Sequence, residues 1–150
     1  MTIDNADVEN QLAEAIKTKF NALIAGEHNA FWIAVNGQLA DGDATGCSYP
    51  YAAFWTVTSN DDPTFTEEFT DHLIQFDFFS VVSAAEARTL RFLARQLFHE
   101  KPLTMTGSTV IWIRESNRVG GDQPEDIPTE DAGNKVWHPI SEYEVRTSLN

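Results

Sequence analysis

Phe69-Thr70-Asp71-His72-Leu73-Ile74-Gln75-Phe76-Asp77-Phe78-Phe79, then Ser80-Val81-Val82-Ser83, then Ala84 through Phe98: this run decides the fold. Its first eleven residues are rich in strand formers, and a period of two puts His72, Ile74, Phe76 and Phe78 on one face. Leu73, Gln75, Asp77 and Phe79 point the other way, so the second face is mixed. Ser80 to Ser83 breaks the pattern. Ser83 opens a capping box, with Glu86 three residues on and placed to reach back to the Ser83 amide. Ala87, Leu90, Ala94, Leu97 and Phe98 recur at helical spacing, which predicts a helix lying on the sheet. Arg88, Arg91 and Arg95 fall on a neighbouring stripe of that helix.

Upstream, Asp7 to Ala25 is an amphipathic helix. Val8, Leu12, Ile16, Phe20, Leu23 and Ile24 follow the helical period, while Glu9, Glu14, Lys17 and Lys19 take other faces. Asn5 or Asp7 caps its start and Gly26 stops it. Phe31 to Val35 is an apolar run too short to divide between strand and buried turn. Gln38 to Ser48 is a polar loop. There Asp41, Asp43, Thr45 and Gly46 imitate the opening of a calcium-binding loop, but the closing bidentate position is Ala52, so a plain turn is expected and no metal. Tyr49-Pro50-Tyr51 introduces a strand to about Thr58. Asn60-Asp61-Asp62-Pro63 is a turn signal, and the two strands are expected to pair antiparallel.

Downstream, His99 to Gly107 connects to a strand at Thr109 to Arg114. Asn117 to Asn134 is expected to be a long acidic loop, carrying Gly120, Gly121, Pro124 and Pro128 with Asp122, Glu125, Asp126, Glu130 and Asp131. Loops of this length inside a compact domain are usually functional or mobile. Lys135 to His138, an interruption at Pro139 and Ile140 to Arg146 form the last strand. In it Tyr143 and Val145 alternate with Glu142, Glu144 and Arg146. The order is helix, strand, strand, helix, strand, strand. This is an α+β pattern: one domain over residues 1–150, with a mostly antiparallel sheet of about four strands and two helices packed on one face.

A formal net charge of −13 argues against free nucleic-acid binding, which draws on clustered Lys and Arg. The single cysteine, Cys47, excludes an intrachain disulfide and fits a reducing compartment. No apolar run approaches a membrane span, and residues 1–10 have an acidic character that signal peptides lack. Catalysis is not indicated. Cys47 lacks a family signature around it, and His28, His72, His99 and His138 show no i, i+4 spacing for zinc. His72 is expected as a satisfied core or interface residue. Asp77 is expected to face solvent or pair with an arginine, the alternative being a perturbed carboxyl. Gly120-Gly121 lacks the strand-to-helix setting of a phosphate loop. No cofactor is implied.

The leading helix, the Tyr49-Pro50-Tyr51 entry, the Gln75-Phe76-Asp77-Phe78-Phe79-Ser80 strand, the Ala84 to Phe98 helix and the closing Tyr143-Glu144-Val145-Arg146 strand together resemble the tail terminator, or tail-completion, proteins of long-tailed bacteriophages. The resemblance covers most of the chain. It departs at the Phe31 to Val35 run and in the length of the acidic loop. It implies a non-enzymatic structural protein of the virion tail, assembled in the bacterial host cytoplasm as a homo-hexameric ring. That ring caps the head-proximal end of the tail tube, stops polymerisation of the major tail tube protein, and offers a surface to a head-completion or connector protein. DNA is only passing cargo, and no membrane is involved.

The residues add their own expectations. The strands at Tyr51 to Thr58 and Phe69 to Phe79 carry apolar residues on both faces, whereas two helices cover only one. An uncovered apolar face is an interaction surface, and a head-to-tail ring buries it; loops or the Phe31 segment covering it within one subunit is the alternative. The stripe Arg88, Arg91, Arg95 is either a solvated helix face or an interface to acids of an adjacent subunit, with the 117–134 loop as their source. If that loop instead lines the bore, its charge repels phosphate over a Debye length of about 10 Å. The other class of function is a monomeric acidic binding module such as a DNA-mimic inhibitor, although the acids gather in loops and turns rather than along helices.

Overall fold

The computed structural model describes residues 5–24, 34–35, 38–39, 51–63, 68–105, 107–126 and 135–149. Helix α1 spans Asn5–Ile24 and α2 spans Ala84–Phe98. The long strands are β3 (Tyr51–Pro63), β4 (Glu68–Phe79), β5 (Ser108–Val119) and β8 (Ile140–Leu149). Two-residue ladders supplement them: β1 (Ala34–Val35) pairs with β2 (Gln38–Leu39), and β6 (Glu125–Asp126) with β7 (Lys135–Val136). The main sheet is wholly antiparallel, in the order β3-β4-β8-β5. The helix-strand-strand-helix-strand-strand order of the long elements is as the sequence predicts.

One face of the sheet makes the core. Phe54, Phe76, Phe78, Ile74, Ile113, Tyr143 and Val145 turn inward and meet Leu12, Ile16 and Phe20 of α1 and Leu90, Ala94 and Phe98 of α2. Phe76 is its centre. Its ring lies 5.3 Å from that of Phe54, 5.5 Å from Phe98 and 5.2 Å, edge-on, from Tyr143. These are the offset and edge-to-face separations that aromatic quadrupoles favour. Phe20 stacks on Phe98 at 6.3 Å, so both helices are bound to the same sheet face through one aromatic cluster.

Several local expectations are corrected. Asn60–Asp62 is not a turn. β3 continues to Pro63, with Asn60, Asp61, Asp62 and Pro63 opposite Asp71, Thr70, Phe69 and Glu68. Thr70 Oγ1 donates to Asp61 and Arg146 Nη2 to Asp62, which hold these turn-forming residues in the ladder. Pro63 is tolerated because it ends an edge strand. β5 likewise runs on to Val119, so Asn117 to Val119 leave the expected loop. The β6–β7 ladder interrupts that loop further, and residues 127–134 lie outside the described residues. Lys135–Val136 belongs to that ladder and not to the last strand. Trp137 bridges to Ser80, and β8 begins only after Pro139. Within 31–35, Ala34 and Val35 are strand. The 41–46 turn, His28 and Cys47 lie outside the described residues.

The capping box is half formed. The Glu86 amide donates to Ser83 Oγ, but the Glu86 carboxylate accepts from Ser80 Oγ at 2.8 Å instead of from the Ser83 amide. Ser80 Oγ in turn accepts from the amides of Val82 and Ser83. A fully buried serine thus relays the cap, fixing where β4 hands over to α2.

Candidate interaction site: an arginine cleft at the β5 edge

Helical spacing puts Arg88, Arg91 and Arg95 beside the buried row Ala87, Leu90, Ala94 and Phe98, facing the last third of β5. Opposite them, Glu115 pairs with Tyr143 and turns under the helix. Its side chain is only 3% exposed, with Arg95 Nη1 and Arg118 Nε each 2.9 Å from Oε1 and Ser141 Oγ donating to Oε2. A carboxylate so buried is tolerable only because guanidinium groups and a hydroxyl occupy its lone pairs. The Tyr143 hydroxyl is buried in the same place. Burial first, and the Glu115 charge second, push its ionisation far above the ordinary phenol range.

The loop after β5 closes the cleft. Gly120 and Gly121 have φ of 68° and 97°. At Gly121 an added Cβ would sit 2.5 Å from Pro139 Cβ, so only glycine lets the loop lie against the start of β8. That seat brings Asp122 to Arg88, with which it forms an ion pair. It also presents the carbonyls of Val119, Gly120 and Ile140 to Arg91 Nη1 at 3.4 to 3.5 Å. Burial, then the neighbouring charge of Arg118, lowers the Arg91 pKa.

Arg88, Arg91, Phe92, Arg95, Glu115 and Arg118 therefore line a recess of about 150 Å³. Four guanidinium groups meet two carboxylates, Glu115 and Asp122, in a chain whose overall charge is −13. Arg88, Arg91, Arg95 and Asp122, singled out from sequence, are brought together here. Glu125 and Asp126 lie on β6, and Glu130 and Asp131 fall outside the described residues. Glu115 and Arg118 were not anticipated. Period-two alternation from Ile113 places Glu115 inward, a legible signal. Arg118 returns to that face only because the register shifts between Glu115 and Asn117, for which the sequence carries no sign.

Two other polar groups need placing. His72 is buried on the core face, its Nδ1 2.9 Å from Ser59 Oγ and its Nε2 3.0 Å from Thr147 Oγ1. Burial lowers its pKa, against the opposing pull of Glu9, Asp71 and Asp61. It is a satisfied core histidine. Asp77 is also buried, neither facing solvent nor paired with arginine: Gln75 Nε2 donates to its Oδ1, which lies 3.1 Å from His138 Nε2, and the His138 ring stacks on Phe79.

A larger recess, about 750 Å³, opens between α1 and Pro102 to Met105. Lys19 lies there with Nζ donating to the Pro102 carbonyl at 2.7 Å. Among the described residues no group of His, Cys, Asp and Glu is arranged to hold a metal, and no helix is long and apolar enough to cross a membrane.

The opposite sheet face is not the bare apolar surface the sequence suggests. Val57 and Val119 are nearly half exposed, and Trp55, Leu73 and Phe79 are half-buried. On β8 and β5, however, charge runs through the aromatic surface. Arg146 binds Asp71 and Asp62 and lies over Phe69, while Arg114 binds Glu144 and stacks 4.3 Å from the Trp112 ring. Alternation did place Arg146 and Glu144 on this face; their cross-strand partners are what convert it to a polar ladder.

No protein family and no curated protein matches this chain in sequence. Its fold does have solved counterparts. A chain of the virion of a native gene transfer agent particle superposes with a TM-score of 0.64 at 12% identity, over 93% of this chain and 96% of that one. The gp17 protein of bacteriophage SPP1 matches with a TM-score of 0.49 at 17% identity, over 95% and 91% respectively. The α+β fold of this chain is thus similar, over nearly its whole length, to that of a chain in a gene transfer agent virion.

Proposed function

We propose that this chain is a structural virion protein of the tail-terminator type. In this reading it is a non-enzymatic subunit of a ring, hexameric by the family pattern, that caps the head-proximal end of a tail tube. The ring halts addition of the tube protein and presents a surface to a head-completion protein, with DNA passing through the bore. The observation that carries the reading is the near end-to-end fold likeness to a gene transfer agent virion chain, with neither chain holding a large extra segment. The partly apolar second sheet face and the exposed Phe92, Val81 and Val82 support it as surface available for assembly.

Electron microscopy of the purified protein, alone and mixed with polymerising tail tube protein, tests it. A six-fold annulus and tubes closed at one end are expected. Tubes that grow to the same lengths with and without the folded protein would refute it. Capture of a nucleic-acid-binding host protein by a monomer would favour the DNA-mimic class instead.

A further inference from the structure

Among the described residues the arginine cleft gathers four guanidinium groups against two carboxylates, Glu115 and Asp122. Arg95 and Arg118 share Glu115, Arg88 takes Asp122, and Arg91, among the described residues, hydrogen-bonds to carbonyl oxygens. Beside it Phe92 is 56% exposed, an apolar side chain next to a cationic recess on an acidic protein. The opposite imbalance lies at the end of the β3–β4 hairpin. Asp62 and Glu68 are exposed there, next to Asp71, with Arg146 binding Asp62 and Asp71.

We propose that the Arg88–Arg91–Arg95–Arg118 cleft is the socket for the acidic hairpin end of a second copy of this chain, in a head-to-tail contact. The inference rests on the ring reading above only in requiring that copies assemble. Placement supports it as well as charge. β3 and β5 are the two edges of the sheet. The hairpin closes where Pro63 faces Glu68, whereas the cleft lies where Val119 faces Ile140 and Ile140 faces Asp77, at the other end of the strands. Socket and tip therefore occupy diagonal corners of the same sheet. A contact between different patches of identical subunits is heterologous, and closes a ring when its rotation permits. Asp122 is already engaged by Arg88 inside its own chain, as Asp62 and Asp71 are by Arg146, so the exposed Glu68 at the hairpin end is the better source of a neighbour's carboxylate. A nucleic-acid backbone fits less well. The molecule as a whole carries a formal net charge of −13, which repels phosphate.

Charge reversal with rescue tests the contact, read by sedimentation of the full chain alone and with tail tube protein. Arg88→Glu and Glu68→Arg both change exposed side chains, and urea melts verify that each variant folds. Each single reversal is expected to weaken self-association by about tenfold or more, and the double reversal to restore it. Singles that assemble like the parent, a folded double variant without recovery, or a parent that stays monomeric in both conditions would overturn the proposal. Rescue by reversing Glu125 and Asp126 instead would reassign the occupant to the post-β5 segment. Binding of a short duplex DNA that Arg88→Glu abolishes would reassign the cleft to phosphate. A ring that caps tubes yet ignores both reversals removes the socket and leaves the ring. Assembly that follows the reversals without capping tubes does the converse.

Discussion

The two faces of the β3-β4-β8-β5 sheet share a backbone and differ in almost everything else. Inward, Phe54, Phe76, Phe78, Tyr143 and Val145 are dry and interlocked with two helices. Outward, the intervening residues of the same strands alternate Trp112 and Phe69 with Arg114, Arg146, Asp71 and Glu144, in pairs open to water. The inner face holds the subunit together, because apolar burial there is complete and irreversible short of unfolding. The outer face contributes little to an isolated chain, since exposed ion pairs are worth at most about 1 kcal/mol. What it retains is the capacity to be covered, at Val57, Val119 and the aromatic rings between the charges.

The sharpest way to break this contrast is at Phe76. Phe76→Ala is expected to cost about 3–5 kcal/mol, since the emptied space is walled by rings from both helices and three strands and collapses poorly. Urea unfolding measures it, and a loss below that range would mean the aromatic cluster is not the support inferred here. Next is Gly121→Ala, where positive φ and the Pro139 contact both oppose a methyl group. A loss of about 1–3 kcal/mol is expected, together with faster amide exchange at residues 119–122 as the loop lifts from β8. Unchanged exchange would show that the cleft does not depend on that seat.

On the outer face, Trp112→Ala is expected to cost only about 1 kcal/mol in the isolated chain, most of it the stacking of Arg114. A thermal melt that drops as far as Phe76→Ala would erase the distinction between the faces. The smallest expected effect is a pH slope from His72, a buried polar member of the inner face. Its folded pKa lies below the ordinary value of 6.5 because burial disfavours the charged ring. The folded state therefore binds fewer protons than the unfolded one. Stability is full above pH 6.5 and falls as pH drops through that value toward the folded pKa. Acidic groups face the ring from α1 (Glu9), β3 (Asp61) and β4 (Asp71), and their charge moderates the effect. His72→Gln, which keeps a donor and an acceptor, is expected to flatten the slope between pH 7.5 and 5.5 in urea midpoints. An unchanged slope would assign it to another group.

Much of the architecture was legible because it is written in periodicity. His72, Ile74, Phe76 and Phe78 at a period of two, and Ala87, Leu90, Ala94 and Phe98 at a helical period, state which face is buried whatever it is buried against. Errors came where local chemistry and ladder pairing compete. Asn60-Asp61-Asp62-Pro63 has turn chemistry, but hydrogen bonds from Thr70 and Arg146 keep it extended. Glu86 has the spacing for a reciprocal cap, but Ser80 intercepts its carboxylate. The candidate cleft was half visible. The helix spacing of Arg88, Arg91 and Arg95 showed one wall, while Glu115 and Arg118 of the other wall are joined to it only through strand register and a bulge.

By itself, the order of residues determined the element types, the inward face of each, and the acidic balance that sets what the surface attracts, since all three depend on near neighbours along the chain. Tertiary structure alone decided that β8 enters between β4 and β5, that an acidic protein gathers four arginines at one corner, and that Asp77 is buried beside His138. Those outcomes depend on groups up to scores of residues apart meeting across a sheet, where pairing register, and not propensity, chooses the partner.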